Sequence, residues 1–196
     1  MDAMQELGNI GAAHAATTLS QMLSSSVEMS VPKIKVVDIS QLSNHMGEES
    51  AALVVFELQG EIPHGGYIIF YISRKSAVHL TNTMLGLTDP DRPLNEMDES
   101  ALIEVGNIMA SAFLDATAEL LGFVMLPSPP SLTIDMAHAA MQTLIAQMQE
   151  EIDEVMLFST ELVCAEHKID SDIIMMPETS TLATFVERLE NLMKSG

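Results

Sequence analysis

Apolar and small residues recur at helical spacing from Asp2 to Leu23, through Leu7, Ile10, Ala13, Thr17 and Leu19, and the Ser24, Ser25, Ser26 run ends the helix they predict. Lys33–Ile39, Ala51–Leu58 and Tyr67–Ile72 are rich in Val, Ile and Tyr, lie between Pro, Gly, Asn and Ser, and predict three strands. His64, Gly65 and Gly66 suit a hairpin turn between the last two, because glycine admits positive φ. A helix over Arg74–Leu85 then closes at Gly86.

Asp89, Pro90, Asp91, Arg92 and Pro93 interrupt regular structure near the midpoint and read as a connector. Beyond it Asn95 or Asp98 can cap a long helix running to Leu121, with Gly122 past its end and Pro127, Pro129 and Pro130 following. A helical stretch over Asp135–Glu150, strands over Glu154–Cys164 and Asp172–Met176, and a helix over Ser180–Met193 complete the pattern. Each half holds too few strands for a comfortable sheet of its own. The expected fold is therefore a single α/β (α+β) domain over residues 1–196, with halves of about 1–95 and 96–196 sharing one mostly antiparallel sheet with helices against it. The halves are expected to share a helix, a Pro-initiated return and strands, though not in an identical order.

Composition narrows the function. With no Trp, two Tyr and sixteen Met, the core must be aliphatic and methionine-rich. A single cysteine, Cys164, cannot form an internal disulfide and reads as a buried small hydrophobe. With no leader pattern and no run of about eighteen apolar residues, the expectation is a soluble, reduced, cytoplasmic protein. Eight Lys and Arg face 28 Asp and Glu, a net charge of −20, which argues against nucleic acid or anionic lipid as a partner and reads as a solvated acidic surface suited to a salty cytosol. The six His show no i, i+4 pairing of the helical zinc type, and no phosphate-cradling glycine loop or serine nucleophile elbow is present, so no metal or cofactor of its own is expected.

One pattern occurs twice, 98 positions apart: Asp2, Glu6, Gly8, Asn9 and Pro32, then Ser100, Glu104, Gly106, Asn107 and Pro130. Residues i and i+3 share a helix face, so Glu6 with Asn9 and Glu104 with Asn107 each present a carboxylate beside an amide. Glycine inside a helix costs about 1 kcal/mol against alanine, and asparagine is also a poor helix former. Accepting both twice suggests that something approaches the helix backbone at Gly8 and Gly106; the alternative is that the glycines let the two long helices pack tightly together. An amide donates and accepts at once and can hold a water in line with an electrophile, while a carboxylate can pair with a partner's lysine. Neither group is a strong nucleophile. The chemistry fits attack of water on an already activated phosphoryl group whose metal comes with the substrate.

At these residues the chain resembles the CheC, CheX and FliY family of response-regulator phosphatases of chemotaxis. The resemblance lies in the doubled pattern, in Glu6-Leu-Gly-Asn-Ile-Gly11 with Ala15-Ala-Thr-Thr-Leu-Ser20, in Glu104-Val-Gly-Asn-Ile-Met-Ala-Ser-Ala112, and in Ser128-Pro-Pro130 leading to Asp135-Met136. Two motifs make it similar to CheC rather than to CheX, which keeps one. Ala13-His14 departs from the Gly-Asn common in the family at that point. The resemblance implies a pseudo-two-fold fold with the two motif helices side by side, and hydrolysis of the aspartyl phosphate of CheY. Asn9 and Asn107 would orient the water, Glu6 and Glu104 would pair with the receiver lysine, and Mg2+ would belong to the receiver. It also implies CheD as a partner. The rival reading is a non-catalytic adaptor that binds CheD or CheY.

Overall fold

The computed structural model describes residues 2–61, 65–122, 124–148, 152–164 and 167–195. The first half runs α1 (Asp2–Leu23), β1 (Val27–Met29), β2 (Lys33–Asp38), α2 (Ile39–His45), β3 (Ser50–Gly60), β4 (Gly66–Ser73) and α3 (Arg74–Leu85). The second runs α4 (Glu96–Leu121), β5 (Met125–Pro127), β6 (Ser131–Met136), α5 (Ala137–Gln147), β7 (Glu154–Cys164), β8 (His167–Pro177) and α6 (Thr179–Ser195). The two orders are the same, contrary to the sequence expectation. The difference arises from β1, α2, β5 and β6. β1 and β5 have three residues each, too few for a period-2 pattern, and α2 is one polar-faced run of seven. The stretch read as helix from Asp135 divides into the end of β6 and α5, while Gln149 and Glu150 lie outside the described residues. The proposed hairpin turn includes His64, also outside them; Gly66, which opens β4, has φ 125°.

All strand pairings among the described residues are antiparallel and form one sheet in the order β1-β7-β8-β4-β3-β5, with β2 also on β7 and β6 also on β3. The order is palindromic about the β4–β8 pair. Each half lends its first two strands to the long strand of the other: Lys33 pairs with Ser159, and Ser131 with Val55. The run Ala51–Phe56 is buried throughout because β3 is covered on both faces. Ala52, Val54 and Phe56 point into a core with α1, α3, α4 and α6, whereas Ala51, Leu53 and Val55 join Leu42 of α2 and Met141 of α5. Cys164 is buried in the larger core, and burial pushes its thiol pKa up, as suits a small apolar side chain.

Among the described residues α4 is the one helix long and apolar enough to cross a membrane, and most of that stretch is buried inside the fold. Its start is fixed by a capping box. Asn95 Oδ1 accepts from the Met97 and Asp98 amides, and the Asp98 carboxylate accepts from the Asn95 amide at 2.8 Å. Its end is Gly122 at φ 73°, a left-handed position that glycine fills without strain.

The motif glycines face inward. A Cβ on Gly8 would meet Phe158 and Ile34 at 3.4 Å and Pro32 at 3.5 Å, and one on Gly11 would strike the Phe113 ring at 2.9 Å. Phe113 and Phe158 meet edge to face at 5.3 Å, so α1 seats its two glycines on an aromatic pair. On α4 a Cβ at Gly106 would come within 2.8 Å of Val54. At these positions the helix backbones are approached by the protein's own core. The glycines instead allow helix-on-sheet contact at Gly8 and Gly106, and helix-to-helix contact at Gly11. The pseudo-symmetric counterparts of Gly11 and Phe113 are Met109 and Ala15, both buried, so the small and large residues exchange helices and the volume is conserved.

Candidate functional site

Gly8 and Gly106 fix the orientation of each motif. With the glycine against the sheet, Leu7 and Val105 are buried too, and Glu6 and Glu104 fall on the solvent side. Asn9 is half-buried and Asn107 exposed. Each helix thus brings its own carboxylate and amide together on its surface. Among the described residues Glu6, Glu104 and Asn107 have no hydrogen bond or ion pair within the chain. Ser100 does not reach Glu104; its hydroxyl donates to the Glu96 carbonyl at 3.0 Å. The side chain of Asp2 lies outside what the structure describes.

Pro32 is buried beneath α1, where its ring lies beside Gly8. Its carbonyl accepts from Gln5 Nε2 at 3.2 Å, and the same nitrogen donates to Asn9 Oδ1 at 3.5 Å. The proline that recurs 23 residues after each asparagine is therefore linked to the first asparagine through Gln5. At the corresponding place on α4 stands Ile103, which has no such donor. Sequence reasoning did not single out Gln5; the signal available was its position four residues before Asn9, on the same helix face.

A groove of about 420 Å³ runs between the motif helices beside Asn107, lined by His14, Thr17 and Thr18 of α1 and by Asn107, Ile108, Ser111, Ala112 and Asp115 of α4. His14, where the chain departs from the family pattern, thus stands opposite the second amide. Its Nε2 is 4.0 Å from Glu119 Oε2, with both side chains about half exposed.

The base of α4 is anchored from the connector. Arg92 donates to both carboxylate oxygens of Asp98, to Asn82 Oδ1 at 2.6 Å and to Thr81 Oγ1 at 3.0 Å. Asp98 is fully buried, and the Arg92 guanidinium holds its pKa down to about 2. Its carboxylate is therefore ionised and committed to structure. No group of three or more His, Cys, Asp or Glu among the described residues is arranged to hold a metal ion.

The fold has known counterparts. FliY of Thermotoga maritima superposes with a TM-score of 0.75 at 21% identity, covering 97% of this chain and 95% of that one. CheX in the CheX–CheY–BeF3–Mg2+ complex from Borrelia burgdorferi superposes at 0.52 with 23% identity, over 87% and 98%. At those identities the likeness defines a CheC-type fold. In sequence, the model of the CheC-like family matches residues 1–36 and 97–134, the two motif helices with their returning strands. The CheY-P phosphatase CheC of Bacillus subtilis is 28% identical over 185 residues, 91% of this chain and 88% of that protein. Over those two segments the chain is similar to the CheC-like family.

Proposed function

We propose that the protein hydrolyses the aspartyl phosphate of a CheY-type receiver domain, with Asn9 and Asn107 each orienting an attacking water and Glu6 and Glu104 docking the receiver's lysine. The observation that carries this reading is the matching pair of carboxylate and amide groups on the surfaces of two helices seated by buried glycines, of which Glu6, Glu104 and Asn107 have no partner among the described residues. A side chain aimed at solvent and spared from internal bonding is available to a docking partner. In the reaction the water oxygen bonds to phosphorus as the bond from phosphorus to the aspartyl oxygen breaks. The carboxylate leaves with its electron pair, and inorganic phosphate departs. The asparagine holds the water in line, which lowers the entropic cost of attack; the carboxylate fixes the register of the two proteins.

Mg2+ enters in this reading with the receiver and belongs to the substrate. Such a substrate places the protein in the cytoplasm, and CheD is its second partner, whose binding is checked by co-purification. The test of the reaction is the decay of phosphate on the receiver in Mg2+, alone and with wild-type, Asn9→Ala, Asn107→Ala and doubly substituted protein. Acceleration that the double substitution abolishes supports the reading. Unaltered decay with wild-type protein overturns it in favour of an adaptor that binds without catalysis.

A further inference from the structure

We propose that Gln5 is a positioning residue for Asn9, making the first of the two sites a pre-oriented one and leaving the second without that device; the inference rests on the phosphatase reading of the same site. A terminal carboxamide turns about a broad, two-fold torsion, so an unrestrained asparagine presents its oxygen and its nitrogen to a given point about equally. At Asn9 the choice is made by a relay. Pro32 is buried beside Gly8, which fixes its carbonyl. That carbonyl accepts one Gln5 N–H at 3.2 Å and so orients the Gln5 amide, whose Nε2 also donates to Asn9 Oδ1 at 3.5 Å. A flipped Asn9 would set its own N–H groups against the Gln5 donor. The relay therefore keeps Oδ1 toward Gln5 with one lone pair still free, and directs the Asn9 Nδ2 hydrogens elsewhere.

On α4 the corresponding residue is Ile103, Pro130 is only half-buried, and Asn107 is exposed with no hydrogen bond among the described residues. Its amide is free to rotate beside the groove that His14 and Asp115 share. Two sites with the same functional groups thus differ in how far those groups are organised before the substrate arrives.

The test uses the full chain carrying Asn107→Ala, so that turnover reports the first site alone. Adding Gln5→Met, which keeps the length and removes the donors, is expected to lower kcat about fivefold, the value of a modest hydrogen bond, with KM and the unfolding midpoint unchanged. Gln5→Glu, also lacking the donors, is expected to do the same. A purely structural Gln5 would lower the unfolding midpoint and leave kcat alone, and that result overturns the proposal. The NMR order parameter of the Asn9 side-chain nitrogen gives a second readout that needs no receiver: it falls in Gln5→Met if the relay restrains the amide, and an unchanged value overturns the proposal even if the protein proves to have no phosphatase activity.

Discussion

Arg92 grips both carboxylate oxygens of Asp98, at 2.7 Å and 2.6 Å, and so fastens the link between the halves to the first turn of α4. The pair is almost entirely out of water, with Arg92 11% exposed and Asp98 0%. Removing one member leaves a buried charge unmatched. Asp98→Ala is expected to cost about 3 to 5 kcal/mol, seen as a lower denaturant midpoint.

The same pair sets an acid dependence. The folded pKa of Asp98, about 2, lies below its ordinary value of about 3.9, so the carboxylate's contribution is complete above that ordinary value and is lost as pH falls toward about 2. In Arg92→Met the cause of the depression is gone. Unfolding free energy measured from about pH 5 to about pH 2 is expected to fall less steeply in this variant than in wild type.

Gly8 and Gly106 occupy equivalent motif positions but have unequal room. An alanine methyl at 106 meets the branched Val54 side chain at 2.8 Å, whereas at 8 its contacts are ordinary, at 3.4 Å and beyond. Gly106→Ala is expected to destabilise by about 1 to 3 kcal/mol through overpacking. Gly8→Ala is expected to stay within about 1 kcal/mol of wild type, because helix propensity offsets the closer contact. Thermal unfolding of the two variants checks the difference; equal losses would contradict it.

Glu6 and Glu104, if they dock a lysine, act on encounter rather than on bond breaking. Glu6→Gln with Glu104→Gln is expected to raise KM for the phosphorylated receiver about tenfold while kcat stays within about twofold. The wild-type KM should rise with salt, and the double variant should lose most of that dependence. A fall in kcat at unchanged KM would remove the docking role.

The exchange of β1 and β2 for β5 and β6 predicts that the halves do not fold apart. Fragments 1–95 and 96–196 each lack the strands that complete their long strand, which leaves buried backbone groups unpaired. Separately expressed, each is expected to show poorly dispersed NMR spectra, with dispersion restored on mixing. A well-folded single fragment would show that the exchange is dispensable.

Much of the architecture was legible because local pattern and final burial agreed. Arg74–Leu85 and Glu154–Cys164 have the bounds expected from the sequence, since Ser73 and Gly86 punctuate the helix and the strand is a long apolar run. The Glu and Asn pairs were legible as surface pairs because i, i+3 spacing fixes a helix face whatever the helix packs on. The role of the glycines was not. Whether Gly8 looks toward a ligand or a core depends on where Phe158 and Ile34 arrive, and Phe158 comes from the other half of the chain. The bond from Gln5 to Pro32 was hidden for a related reason, because Pro32 comes back to α1 only once β1 has returned the chain along the sheet.

The sequence by itself determined the duplication, the helices that carry it and the chemistry of the groups on their outer faces, because covalent order, helical period and side-chain chemistry are local. Only the tertiary structure decided that each half's first strands complete the sheet of the other, that the glycines serve packing, that Arg92 and Asp98 anchor one motif helix, and that Gln5 links Asn9 to Pro32 while Ile103 stands at the corresponding place on α4. Those depend on contacts between residues far apart in the chain, and the free energy of such contacts is set by which surfaces exclude water together.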